Sequence, residues 1–180
     1  WRCRTIYWCD DEFAIITESS RAQRRMRYSS FKPGDETKGL SVIFDYSTDD
    51  NYANPGRPYL TSNAYKQKVL YTDKRHNELL MIAPGGSPEG DMPYLSRYDI
   101  AKKKNQILWR CATPYYEEFV SMIDPAKQRF ITARQSVRTP VNYILHDAKR
   151  NREETITNFP NPYPSLENMK VEKMKYKRAD

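Results

Sequence analysis

A repeat at a spacing of 48 residues constrains this chain more than any other feature. Asp99-Ile100-Ala101-Lys102-Lys103-Lys104 leads through two polar residues to Ile107-Leu108-Trp109, and Asp147-Ala148-Lys149-Arg150-Asn151-Arg152 leads through two acids to Thr155-Ile156-Thr157. Each copy reads as a strand ending in Asp, a basic hairpin and a short returning strand. An earlier copy with longer loops runs through 28–32, a turn at 34–39 and 40–44. Repeats of about 40–50 residues with four strands each are the pattern of propeller blades. The expected fold is therefore all-β, a partial β-propeller of about three four-stranded antiparallel blades, at about 1–48, 58–112 and 117–159.

The rest of the chain agrees with strands. Phe13-Ala14-Ile15-Ile16, Val69-Leu70-Tyr71, Leu79-Leu80-Met81-Ile82 and Phe130-Ile131-Thr132 are short apolar runs bounded by turn residues at 10–11, 34–35, 73–77, 124–125 and 149–152. No window has the period of an amphipathic helix. No apolar run approaches the ~20 residues needed to span a bilayer. At 160–164 three alternate prolines (Pro160, Pro162, Pro164) exclude a central strand or helix, because each lacks an N–H donor. They predict an extended connector leading to a basic strand over 171–178.

The net charge is +7, from 30 Lys and Arg against 23 Asp and Glu. The basic residues are dispersed into groups at 21–27, 102–104, 149–152 and 170–178, and two of these groups sit at hairpin tips, where lysines solvate a turn. With no aromatic-basic motif and no recognition helix, no nucleic-acid partner is expected. Cys3, Cys9 and Cys111 lack CxxC spacing, so no metal is expected and the three read as buried or half-buried free thiols. A Cys3–Cys9 bridge would need a bent strand.

Candidate chemistry is sparse. Gly85-Gly86-Ser87-Pro88-Glu89-Gly90 fails as a nucleophile elbow: its last glycine falls one residue late, and Pro88 has no N–H for an oxyanion. His76 lies in a turn and reads as solvated. His146 and Asp147 are adjacent on a strand and point to opposite faces, so they make no base–orienter pair. Asp49-Asp50, Glu117-Glu118 and Glu153-Glu154 read as loop or edge charges. No catalytic residue is assigned, no cofactor is expected, and this stretch is not expected to be an enzyme by itself. The binding candidates are Arg24, Arg25 and Arg27, on a strand that sends Arg25 and Arg27 to one face, together with Glu89 in the long loop 85–93. Guanidinium groups hold carboxylates through paired planar hydrogen bonds.

Several segments, in order, resemble a known family. These are Tyr-Trp-Cys-Asp-Asp-Glu (7–12), Ile-Phe-Asp-Tyr-Ser-Thr-Asp-Asp-Asn-Tyr (43–52), Asn-Pro-Gly-Arg-Pro (54–58), Ser-Pro-Glu-Gly-Asp-Met-Pro-Tyr-Leu (87–95) and the proline-rich exit 156–166. Together they resemble the propeller of prolyl oligopeptidase-type serine peptidases, in the glutamyl endopeptidase-like branch. The resemblance implies that 160–180 is a hinge and first strand entering a missing α/β-hydrolase domain with a Ser-Asp-His triad. The blades would gate and orient peptide substrates, including ones cleaved after acidic residues. It also implies a periplasmic or secreted setting. A dipeptidyl or acylaminoacyl peptidase propeller, or a stand-alone binding propeller of the cell envelope, is the alternative. The chain departs from the family after Glu18, where Ser20-Arg21 stands in place of a frequent Trp-Tyr pair, so no substrate contact of that pair carries over. The expected partners are a peptide substrate, the hydrolase domain and remaining blades, and a second copy of the chain, through blade faces left uncovered (Ile6, Trp8, Phe13, Ile15 and Ile16 at one end; Phe130, Ile131, Tyr143 and Leu145 at the other).

Overall fold

A computed structural model describes residues 1–35, 37–166, 170, 172, 174, 176 and 177. It divides into two compact units, Trp1–Cys111 and Ala112–Asp180. Strands carry the architecture, and the described helical residues form two short 3-10 turns, Asn51–Ala53 and Pro164–Leu166.

In the first unit, β1 (Arg2–Trp8), β2 (Ala14–Ser20), β3 (Arg25–Phe31) and β4 (Ser41–Ser47) form one antiparallel sheet in chain order. A second sheet is built from β5 (Arg57–Pro58), β8 (Glu78–Ala83), β9 (Tyr94–Asp99) and β10 (Lys104–Arg110), in the order β10-β9-β8-β5. Between β5 and β8 the chain makes a separate hairpin from β6 (Leu60–Ser62) and β7 (Lys68–Leu70). The apolar run 69–71 is thus a strand, but not of the four-stranded sheet.

The core of this unit joins Phe13, Ile15, Tyr28 and Ile43 of the first sheet and its turns to Leu79, Met81 and Tyr98 of the second, with Leu70 from the hairpin. Burying such side chains stabilises by about 1.5–3 kcal/mol each. The aromatic contacts are specific: the Phe44 and Tyr98 ring centroids lie 4.5 Å apart. The Tyr28 hydroxyl donates to the Gly56 carbonyl at 3.0 Å. Gly56 itself has φ of +79°, and a Cβ there would stand 2.0 Å from the Ile82 carbonyl oxygen. Only glycine fits this approach of two backbones.

In the second unit, β11 (Tyr116–Asp124), β12 (Arg129–Gln135), β13 (Asn142–Asp147) and β14 (Arg152–Thr155) form an antiparallel sheet in chain order. Its interior is polar as well as apolar: Phe130 and Ile144 are buried, and so are Glu117, Thr132, Asn142 and His146. Glu117 is therefore no edge charge. The period of two places it inward from β11, while the neighbouring Glu118 points out. The expectation that Phe13, Ile15 and Phe130 lie on uncovered faces is likewise corrected, since all three are buried.

One turn design recurs in four hairpins. The side chain of Ser20, Asp99, Asp124 or Asp147 accepts from the backbone N–H three residues on, at 3.3, 2.8, 3.0 and 3.2 Å respectively. The next residue (Arg24, Lys103, Gln128, Asn151) has φ of 50° to 55°. This is a tight turn followed by a left-handed residue, which reverses the strand with the proper twist. The basic residue at the third position after each Asp folds back on it, as in Lys102 Nζ to Asp99 Oδ2 at 2.9 Å. The tip lysines thus also pair with the turn acid. Water screens such exposed pairs, so they add little to stability.

After β14 the chain stays tied to β13. Asn142 Oδ1 accepts from the Phe159 N–H at 2.6 Å and from Thr157 Oγ1 at 3.0 Å. The extended connector expected at the prolines ends in a 3-10 turn at Pro164–Leu166, because proline is tolerated at the first position of a helical turn, where its missing N–H is not needed. The basic strand expected over 171–178, and the end of the hinge and first strand expected over 160–180, fall largely on residues outside those described.

Candidate functional site

The β2–β3 turn builds the site. Its left-handed residue is Arg24, so Arg24 stands at the turn and not on the strand, in departure from the expected placement. The Arg24 carbonyl is anchored by the Thr48 N–H at 2.8 Å, and its guanidinium reaches the exposed Asp49 at 2.8 Å. Arg25 and Arg27, two apart on β3, share a face as alternation requires, and both converge on Asp45 of β4. Arg25 Nε donates to Asp45 Oδ1 at 2.7 Å, and Arg27 Nη2 to Oδ2 at 3.2 Å. Burial pushes the Asp45 carboxyl up, but the two guanidinium groups outweigh this and hold it below the usual carboxylate range. The Arg27 guanidinium also lies over the Trp1 ring, 4.0 Å from its centroid.

Beside this turn an open cleft of about 940 Å³ is lined by Arg2, Arg4, Arg21, Arg24 and Arg25, with Asp49 as the one acid among the described lining residues. Arg2 and Arg4 come from β1, which pairs with β2, so register brings them alongside the β2–β3 turn. Among the described residues no ion pair engages Arg2, Arg4 or Arg21, which leaves forked donors available to an anion. The sequence reading missed Arg2 and Arg4: Arg2 is placed by its pairing with Ser19 and Arg4 by the bulge between Cys3 and Thr5, and no local pattern specifies either. Glu89 is not part of this cleft. It sits in the exposed turn Ser87–Gly90, where Ser87 Oγ donates to the Gly90 carbonyl at 2.7 Å. Arg27 backs the cleft through Asp45 and does not line it.

The histidines are engaged in ways the sequence did not reveal. His76 is not a solvated turn residue. Its ring stacks on Phe13 with centroids 5.0 Å apart, and its Nε2 lies 3.2 Å from Asp10 Oδ2. Cys9 Sγ is 3.9 Å from its Nδ1. Burial, then the neighbouring Asp10 carboxylate, pushes the Cys9 thiol up to about 11, so in this form it is a neutral thiol and a poor nucleophile. Cys111 is buried and Cys9 half-buried as expected, whereas Cys3 is exposed on the edge strand β1. His146, on β13, donates through Nε2 to the Glu117 carboxylate at 2.7 Å and lies 2.9 Å from the Thr132 hydroxyl. That cluster is closed to solvent and so cannot receive a substrate. Arg134 links it outward, donating to Glu117 at 2.8 Å and bidentately to Glu153 at 2.9 and 2.6 Å.

Fold and site together define an all-β protein of antiparallel sheets with an arginine-lined cleft. Two curated plant proteins align with nearly all of it. The "Probable glutamyl endopeptidase, chloroplastic" of Arabidopsis thaliana is 29% identical over 188 residues, covering 97% of the chain. The protein of the same name from Oryza sativa subsp. japonica is 29% identical over 185 residues, covering 96%. The chain spans only 20% of the length of these relatives. No family model matches the chain, and no solved structure does.

Proposed function

We propose that this chain is a non-catalytic β-propeller portion of a serine peptidase of the prolyl oligopeptidase type, with blades at 1–48, 58–112 and 117–159. The observation that carries the reading is the alignment of nearly the whole chain with two much longer proteins bearing a peptidase name. Acyl transfer through a seryl intermediate would be performed by an α/β-hydrolase domain elsewhere in the protein. The blades gate access, and the arginine cleft draws in and orients a peptide with an acidic side chain or a free C-terminus. Five arginines around one acid supply the field, and the guanidinium fork supplies the geometry. An exported location belongs to the same reading.

The test uses the full-length protein with Arg2→Ala, Arg4→Ala, Arg21→Ala, Arg24→Ala and Arg25→Ala, made one at a time, on paired peptides that differ only in Glu against Gln at the cleaved position. A direct contact lowers kcat/KM on the Glu peptide by about 1–3 kcal/mol of transition-state binding, with little change on the Gln peptide. Equal losses on both peptides, or none, overturn the assignment of the cleft.

A further inference from the structure

The Cys9–Asp10–His76 cluster, at the far end of β1 from the arginine cleft, has no part in the reading above. Cys9 and Asp10 lie in the β1–β2 turn, and His76 lies in the β7–β8 turn, 67 residues from Cys9. Their donor atoms all stand within 4.8 Å of one another. The hydrogen bonds around His76 fix which of its ring nitrogens can ligate. Thr72 Oγ1 donates its one proton to the Asp73 carbonyl at 2.6 Å. It must therefore accept from His76 Nδ1, which stands 3.1 Å away. That places the N–H on Nδ1 and turns the Nε2 lone pair toward Asp10 Oδ2 at 3.2 Å. Two acceptors at that distance repel unless a proton or a metal ion is shared between them.

We infer that Cys9, Asp10 and His76 form a divalent zinc-class metal site that clips the β1–β2 turn to the β7–β8 turn. The chemistry fits a three-residue set with a fourth position open to water. Thiolate, carboxylate and neutral imidazole carry two negative charges, which a divalent ion neutralises. On binding, the Cys9 S–H bond gives its proton to solvent and a metal–sulfur bond forms. With metal–ligand bonds of about 2.0–2.3 Å, the edges of a tetrahedral site are about 3.2–3.6 Å long. The His76–Asp10 separation already matches; the sulfur stands 3.8 Å from Asp10 Oδ2 and 3.9 Å from the far ring nitrogen Nδ1, so a turn of the Cys9 side chain toward Nε2 completes the site. The Nδ1–H to Thr72 bond supplies the outer-shell contact that orients a ligating histidine, and the Phe13 stack fixes the ring plane. Asp10 is half exposed, which gives the ion a path in. Its other oxygen stays in the turn, accepting from the Glu12 and Phe13 N–H groups at 3.0 Å.

Cobalt(II) is the spectroscopic probe and zinc the affinity probe, each added to the chelator-stripped 180-residue chain. Cobalt is expected to give a near-ultraviolet thiolate charge-transfer band and the intense visible bands of a tetrahedral ion. Both should vanish in Cys9→Ser and survive in Cys3→Ser and Cys111→Ser. Zinc affinity, measured against a chromophoric chelator, should fall at least ~10-fold in Cys9→Ser and His76→Gln. Asp10→Asn keeps the turn's acceptor and sits at the surface, so it reports even where a half-buried variant fails to fold, and it should weaken zinc in the same way. If no thiolate band forms, or if the three variants bind zinc as the unaltered chain does, the inference is overturned, and a proton on His76 alone fills the gap as an imidazolium–carboxylate pair.

Discussion

Replacing Glu117 by Gln should unravel the interior of the second unit although shape is conserved. One carboxylate oxygen accepts from Thr132 Oγ1 and from His146 Nε2, and the other from Arg134 Nε. An amide offers one accepting oxygen and one NH₂. With its oxygen kept toward Thr132 and His146, its NH₂ meets the Arg134 Nε–H, a donor against a donor; turned the other way, His146 must change tautomer before it can accept. Hydrogen bonds to a charged group contribute about 1.5–3 kcal/mol each, and an unsatisfied buried donor costs about 1–3 kcal/mol. Loss of one charged bond with one orphaned donor comes to roughly 3 kcal/mol, held down because Arg134 keeps its bidentate pair with the exposed Glu153. Hydrogen exchange at the β12 amides reads this locally and should speed up by about 100-fold, at 1.4 kcal/mol per factor of ten. Glu118→Gln, one residue away and exposed, is the control and should change exchange less than about threefold. The pH dependence gives a second handle. Burial pushes the Glu117 carboxyl up, but the bonds from His146, Thr132 and Arg134 outweigh it and hold it below the usual carboxylate range. A depressed folded-state value means stability present above the unfolded value of about 4.3 and lost as pH falls through the folded one. The unaltered chain should therefore lose β12 protection below about pH 4, and the Gln variant should show no such step. Equal exchange in the two variants at neutral pH would refute the claim that the carboxylate organises this interior.

Two further outcomes are expected. Gly56→Ala, where φ is +79° and the new Cβ would meet the Ile82 carbonyl, should destabilise the first unit by about 3 kcal/mol, whereas Gly34→Ala, at φ +75° in open space, should cost about 1 kcal/mol. Tryptophan-detected melting separates the pair, since Trp1, Trp8 and Trp109 all lie in the first unit. The chain should also self-associate through apolar side chains that remain exposed, such as Trp8 and Val42 in the first unit and Val120 and Ile123 in the second. Light scattering over a dilution series checks it, and a constant monomer mass with no hydrophobic-dye binding rules it out.

The strands and their turns were legible in the sequence because they depend on neighbours. Short apolar runs at 13–16, 79–82 and 130–132, bounded by turn residues, mark the strands, and Asp99 and Asp147 announce their own hairpins by accepting an N–H three residues on. The same turn at Ser20 escaped notice because a serine with glutamine and arginine after it lacks the Asp-basic signature, yet its hydroxyl meets the same N–H. Side-chain partnerships across strands were not legible. Glu117 and His146 are 29 residues apart, and they meet because the β11–β12 and β12–β13 registers place both beside Thr132. Cys9 and His76 meet only because the hairpin β6–β7, inserted between β5 and β8, carries its following turn against the β1–β2 turn. Arg2 and Arg4 join the arginine cleft through the β1–β2 register, which no local pattern specifies. Local propensity and turn chemistry act over a few residues and can be read from order alone. Register, insertion and packing act between segments far apart in the chain, so only the tertiary structure decides which charges are buried together and which face a ligand.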